Sequence, residues 1–444
     1  MMNLELLFEK GTAAGLTDME AFAVQDETFS CKVFEQEVDT YAVAATQGLS
    51  FRGVYQGRMG YTYTEQLSDE AIDFLIDTVI GNALLLEKDE NEELFEGSLY
   101  YEELPLYDEA LEPVSAAEKI QFLKETEAQC RRLDPRVKSV NYCLFANGKN
   151  QVTLKNTKGL DLNQASNYAY CYLSVLVSEN GENKTEGDYL VSTDFTRYQP
   201  QDLAKKVVEG ALAQLGASMI PSGNYPILMK NKVAGSLLEA MSGSFSAESV
   251  HKDLSRLKGK LNEVIGAPIV SIMDDPHLPA GLGSASFDGE GVATYQKSIV
   301  EGGRLLTYLH SLTTARIFQV RPTGNGFRSG YKSAISISPS NMFIQPGKES
   351  PLALAAGIQE GIYLTDVQGL HAGLNSISGD FSLSASGFMI RDGKLAEPIH
   401  EFTVGGNFFD LLLDIEAIGS DLEFGASNVG SPTLRIKKMT VAGT

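Results

Sequence analysis

The sequence predicts an α+β protein: an N-terminal region of antiparallel strands plus helices, followed by a β-rich C-terminal domain. Three observations predict it. Runs rich in Val, Tyr, Phe and Thr, punctuated by glycine, stand in blocks apart from the helical patterns, unlike the alternation of a doubly wound sheet. The order strands-then-helix occurs twice before residue 220. Past Pro221-Ser222-Gly223, long helical patterns fade while glycines and short Val/Ile/Phe runs continue to residue 444.

Each element follows from local pattern. Leu4, Leu7 and Phe8 have helical spacing and mark a short opening helix over 3–15. From Ala21 to Thr64, AFAVQ, CKVFEQ, TYAVAAT and GLSFRGVYQGRMGYTYT read as a strand meander. Ser68 is the expected cap of an amphipathic helix built on Ile72, Leu75, Ile76, Val79, Ile80, Ala83 and Leu84. Residues 88–113 are acidic, carry Pro105 and Pro113, and read as a linker or loop. Ser115 and Glu118 form a capping-box pattern that opens a helix to about Arg132. A second strand-rich stretch runs from Val137 to about Thr193, and Leu203, Val207, Ala211 and Leu215 mark a helix near 200–215. A further helix is expected near 231–243. The resulting division is 1–88, a first α+β unit; 89–220, a linker and second α+β unit; and 221–444, the β-rich domain. Thr46-Gln47-Gly48-Leu49 echoes Thr157-Lys158-Gly159-Leu160. Internal duplication is one reading of this echo; chance recurrence of a T-x-G-L turn is the other.

Composition excludes several roles. Lys and Arg number 36 against 58 Asp and Glu, giving a formal net charge of −22. Such a surface opposes direct nucleic-acid binding and docking on an anionic membrane. The opening residues MMNLELLFEKGTAAG resemble no secretory leader, and no apolar run reaches membrane-spanning length. The four cysteines, Cys31, Cys130, Cys143 and Cys171, have no CxxC spacing and read as dispersed reduced thiols, so a cytoplasmic location is expected.

Residue spacing alone yields little chemistry. His251, His277, His310, His371 and His400 form no HxH, HExxH or HxxxH. Asp274-Asp275-Pro276-His277 has two readings: acid–base or hard-cation chemistry, or a turn whose aspartates accept backbone amides. Gly281–Ser286 and Gly324-Asn325-Gly326 lack the full phosphate-loop context, and neither a G-x-S-x-G elbow nor a Walker A sequence occurs.

Longer segments carry more. SLLEAMSGSFSAESVHKDLSRLKGKLNEVIGAPIVSIMDDP (236–276), FDGEGVAT (287–294), RPTGNGFRSG (321–330), IQPGK (344–348), the stretch 361–399 and GSPTLRIKKMTVAGT (430–444) occur in this order. In them the chain resembles the TldD/PmbA family, whose members are known as modulators of DNA gyrase and as metallopeptidases (peptidase U62-like). The resemblance implies two kinds of member. The TldD kind carries HExxxH on the helix that opens the C-terminal domain, and its histidines bind zinc with a cysteine near the C-terminus. The PmbA kind, also called TldE, lacks that motif. Here the corresponding positions are Leu238, Glu239 and Gly243, and no cysteine follows Cys171. Leucine and glycine offer a metal no donor atom, and one carboxylate does not replace three protein ligands. The resemblance therefore implies a PmbA/TldE-type subunit with no catalytic residue and no metal of its own.

It further implies a TldD-type partner that holds the zinc in a heterodimer and cuts short or unfolded peptides; an isolated chain is expected to form a homodimer. Family members are linked to processing of peptide-antibiotic precursors and to antitoxin degradation. The loop 323–330 and the stretch 368–380 are candidates for approaching peptide or partner, through Asn325, Arg328, His371 and Asn375; structural turns are the other reading of both. Two alternative functions stay open at this point: a non-proteolytic binding module acting on a toxin–antitoxin or gyrase system, and an independent hydrolase built on Asp274, Asp275 and His277.

Overall fold

A computed structural model of the chain describes residues 2–88 and 92–444. Asn3 caps the opening helix α1 (Leu4–Ala13) by accepting from the amides of Glu5 and Leu6. The chain then runs through β1 (Met19–Phe34), β2 (Glu37–Tyr55), β3 (Arg58–Thr64) and α2 (Ile72–Leu85). After a long loop come α3 (Ala116–Leu133), β4 (Val137–Asn156), β5 (Asp161–Glu179), β6 (Glu182–Val191) and α4 (Pro200–Leu212). The capping box at Ser115 and Glu118 forms in full. Ser68 does not cap α2: it makes no side-chain cap bond, and a 3-10 turn over Asp69–Ala71 leads into the helix instead. The loop 92–113 is held to the body by buried Leu94 and by Tyr101, whose hydroxyl donates to the Gly291 carbonyl. Residues 89–91 of the expected linker lie outside the described residues.

The two α+β segments share a single sheet of order β3-β2-β1-β4-β5-β6. Its centre is the antiparallel pair β1–β4, from Glu20↔Asn156 to Lys32↔Leu144. Each half contributes a helix, three meandering strands and a second helix, so the element order repeats about that centre. The T-x-G-L echo does not mark equivalent places. Thr46–Leu49 lies within β2, where Gly48 makes room for the Tyr331 ring; Thr157–Leu160 is the β4–β5 turn, where Gly159 takes φ +105°.

Strand alternation sorts the side chains. Met19, Ala21, Leu49 and Phe51 pack beneath α1 and α2; Cys31, Cys143, Phe145, Cys171 and Leu173 pack beneath α3 and α4. All four helices thus cover one face. On the opposite face, Phe22, Val24 and Leu154 meet Phe287 of the C-terminal half.

That half opens with β7 (Gly223–Met229), α5 (Asn231–Met241) and α6 (Ala247–His251), then β8 (Ile272–Asp274), β9 (Lys297–Glu301) and β10 (Arg304–Leu305). Next come α7 (Leu312–Phe318), β11 (Gly326–Phe327), β12 (Ser336–Ile337), β13 (Met342–Ile344) and α8 (Pro351–Ala356). It ends with β14 (Glu360–Gln368), α9 (Leu370–Gly373), β15 (Asp380–Arg391), β16 (Lys394–Asn407), α10 (Phe408–Leu413), β17 (Ile415–Ile418), β18 (Val429–Gly430) and β19 (Leu434–Ala442). One sheet runs β16-β15-β14-β7-β19-β17, and β19 also pairs with β16 from Thr403↔Ala442 to Gly405↔Thr440. Five strands therefore close into a ring, with β17 beside it. A second sheet, β10-β9-β8-β13-β18, lies against the same core. No helix among the described residues is long and apolar enough to cross a membrane.

Candidate functional site at the interlobe cleft

The helix of interest is α5. It leaves β7 through Lys230, whose amide donates to the Leu364 carbonyl of β14. Val233, Ala234, Leu237, Leu238 and Met241 form its apolar face and are buried. Gly235 lies against Gly430 and Ser431, which fixes α5 across β18.

The three motif positions point to different surroundings. Leu238 is 0% exposed and belongs to the C-terminal core. Glu239 is exposed. Gly243 is exposed, and a Cβ there would meet nothing within 4 Å. Among the described residues no group of three or more His, Cys, Asp or Glu side chains could hold a metal ion. The residues at this site therefore do not fit zinc. All four cysteines lie together in the core beneath α3 and α4, a different cluster from the one that α5 joins.

The stretch 368–380 packs beside α5: α9 touches the helix, and Ser244, just past its end, donates to the Ser376 carbonyl. His371 and Asn375 are exposed there. Asn375 Oδ1 accepts the amides of Ile377 (2.9 Å) and Ser378 (3.1 Å), which shapes the turn.

Asn325 and Arg328 lie elsewhere: Asn325 is buried within the C-terminal half, and the Arg328 side chain is buried against the N-terminal sheet. Arg328 Nη2 donates to Glu20 Oε1 at 2.6 Å and Nη1 to Ser50 Oγ at 3.1 Å, and the guanidinium lies over the Phe22 ring. Arg52 Nε reaches the same Glu20 oxygen at 2.8 Å. Burial alone would raise the Glu20 carboxyl; the two guanidiniums outweigh it and hold that carboxyl below its ordinary value. Asn325 donates to Asp274 Oδ2 at 2.8 Å, and Lys297 pairs with the same oxygen at 3.0 Å.

Asp274 also accepts the Ser340 amide, and Asp275 accepts the His277 amide at 2.9 Å. The two aspartates are thus engaged inside the chain as amide acceptors. His277 Nε2 rests 3.2 Å from Thr294 Oγ1.

Sequence reasoning missed Asp288 and Glu290, although both stand in the quoted segment FDGEGVAT. Asp288 accepts the amides of Glu290, Val292 and Gly326, and Glu290 accepts that of Leu312 at 2.8 Å. Burial raises both carboxyls, and the Asp288 charge raises Glu290 further. Two acidic residues alternating with glycines in an apolar setting were the available signal. The segments 287–294 and 321–330 meet here.

The open feature is a cleft of about 450 Å³ where β5 and β6 face α5 and β14. Tyr172, Glu186, Gly187, Lys230, Ser236 and Asp366 are among its walls. Burial raises the carboxyls of Glu186 and Asp366. Beside the cleft, Lys206 of α4 and Lys232 of α5 both bond to Asp188 of β6. Burial opposes the Asp188 charge, but the two lysines outweigh it and lower its carboxyl. β6 is the outer strand of its sheet, so it offers the cleft an unpaired backbone edge.

Fold and cleft together define a two-lobed α+β protein whose motif helix faces a polar groove bordered by a free strand edge. Family profiles match along the chain: PmbA/TldA metallopeptidase domain 1 over residues 19–83, the central domain over 109–215 and the C-terminal domain over 222–443. The chain belongs to the PmbA/TldD family. A solved Thermotoga maritima protein, described as a candidate modulator of a DNA gyrase, is 32% identical, with 99% of each chain covered and a TM-score of 0.92. The metalloprotease PmbA homolog of Haemophilus influenzae is 26% identical over 98% of this chain and 94% of its own. TldE from Thermococcus kodakarensis shares the fold at a TM-score of 0.91, with 22% identity, covering 99% of this chain and 100% of its own.

Proposed function

We propose that this chain is a zinc-free, PmbA/TldE-type subunit that works with a TldD-type partner on short or unfolded peptides in the cytoplasm. One observation carries the reading: where the family's zinc-binding kind has two histidines, α5 presents a core leucine, Leu238, and the 3-10 turn just after it a bare glycine, Gly243. The partner supplies the metal and the bond cleavage. This chain supplies a wall of the peptide-binding chamber, including the β6 edge, where an extended backbone finds hydrogen-bond partners. Without the partner, the isolated chain pairs with a second copy of itself.

The test is co-purification with a TldD-type protein, followed by metal analysis and peptide hydrolysis of each species. Zinc and turnover are expected in the mixture and absent from this chain alone. Zinc-dependent hydrolysis by the purified chain would overturn the proposal. Hydrolysis without zinc that is lost in Asp275→Ala or His277→Ala would favour an independent hydrolase.

A further inference from the structure

Beside the cleft, the open face of the N-terminal sheet carries a row of tyrosines. Tyr168, Tyr170 and Tyr172 alternate along β5 with Ala169, Cys171 and Leu173, which are buried beneath the helices. The three tyrosines therefore project from the opposite face. Register sets Tyr189 of β6 opposite Tyr172, with ring centres 4.5 Å apart. Tyr142 of β4 stands 5.9 Å from Tyr172, Tyr170 6.2 Å from Tyr189, and Tyr168 stacks 6.4 Å from Tyr170 at 14°.

The rings lie down on the sheet. A Cβ on Gly148 would stand 2.8 Å from the Tyr168 ring, and one on Gly187 would stand 2.6 Å from the Tyr172 hydroxyl. A ring lying across a glycine turns a π face outward. Tyr142, Tyr168 and Tyr189 are 51%, 38% and 42% exposed, so these faces are accessible. Tyr172 belongs at once to the row and to the cleft wall.

Charge decides what the row accepts. Aromatic faces attract cations, and Lys32 Nζ already sits 5.1 Å from the centre of the Tyr142 ring. Asp26, on the same face by register, adds a negative charge that acts on Tyr168. The net charge of −22 repels an acidic ligand. We propose that this row is a binding surface for an extended peptide rich in Lys and Arg. The basic side chains lie on the rings and the backbone runs toward the β6 edge. The proposal rests on the reading that the chain handles peptides, and it adds the class of peptide.

The chain contains no tryptophan, so a probe peptide bearing one Trp can be followed by its own emission. The full chain, without partner, is titrated with an unstructured Lys/Arg-rich probe and with its Asp/Glu counterpart. The basic probe is expected to bind and the acidic one not. Tyr172→Ala with Tyr189→Ala weakens binding about tenfold, whereas Phe at both positions keeps it, because the ring face and not the hydroxyl makes the contact. Unchanged melting of the variants confirms that they fold. Equal binding of both probes, wild-type affinity in the Ala pair, or equal loss in the Phe pair would each overturn the proposal. So would binding of neither probe. No zinc or partner enters the titration, so its failure leaves the proposed pairing intact. Loss of hydrolysis in the mixture likewise leaves this surface standing.

Discussion

Glu290 illustrates how a buried side chain makes stability depend on pH. Burial and the Asp288 charge hold its carboxyl above the ordinary range. Such a group contributes fully below its unfolded value of about 4.3, and the contribution is lost as pH rises through the folded value. Glu290→Gln keeps an oxygen for the Leu312 amide and cannot ionise. It should stabilise the protein by about 1–3 kcal/mol at alkaline pH and little near pH 5, read as melting temperature across a pH series; equal shifts at both ends would contradict this. The thiols make a second case. Burial pushes Cys130 up to about 12 and raises Cys143 and Cys171 as well. A thiol reagent should leave the native chain unlabelled and react with all four cysteines in denaturant. At this scale the sequence was least legible. Glu20 and Arg328 lie 308 positions apart, and the four cysteines are scattered along the chain yet share one core. No spacing rule relates residues that only folding brings together.

Elements were easier to read, for a local reason. The helical spacing around Leu75 and Leu203 and the Ser115–Glu118 box are decided within a few residues, and those helices form as expected. Strand partners are decided elsewhere. The same four-residue T-x-G-L pattern sits mid-strand in one half and in a turn in the other, so the repeat shows in element order and not in that echo. The helix α5 allows a direct test. Leu238→His puts an imidazole into a closed core and should cost about 3 kcal/mol or more. Gly243→His faces open space and should change stability by less than about 1 kcal/mol. Urea unfolding separates the two; equal costs would mean that Leu238 is not the anchor of this helix.

In the whole molecule, the lobes are joined by charge as well as by apolar contact. Glu20, Arg52 and Arg328 form a buried cluster across the junction, and buried Asp188 joins the more exposed Lys206 and Lys232 in a second cluster. Arg328→Met removes one of the two guanidiniums that hold the buried Glu20 carboxylate, leaves Arg52 in place, and should cost about 1–3 kcal/mol. Glu20→Met takes the shared carboxylate from both guanidiniums and should cost more than Arg328→Met. Denaturant midpoints and protease sensitivity at the junction report both; a Glu20 variant no weaker than the Arg328 variant would contradict the account. The ring of strands in the C-terminal half has a consequence for synthesis. Its first strand, β7, lies between β14 and β19, and β19 is the last of its strands to leave the ribosome. Until residues 434–442 emerge, β7 and β16 keep exposed margins, so the nascent domain waits with its seam open and any stop before Leu434 leaves it so.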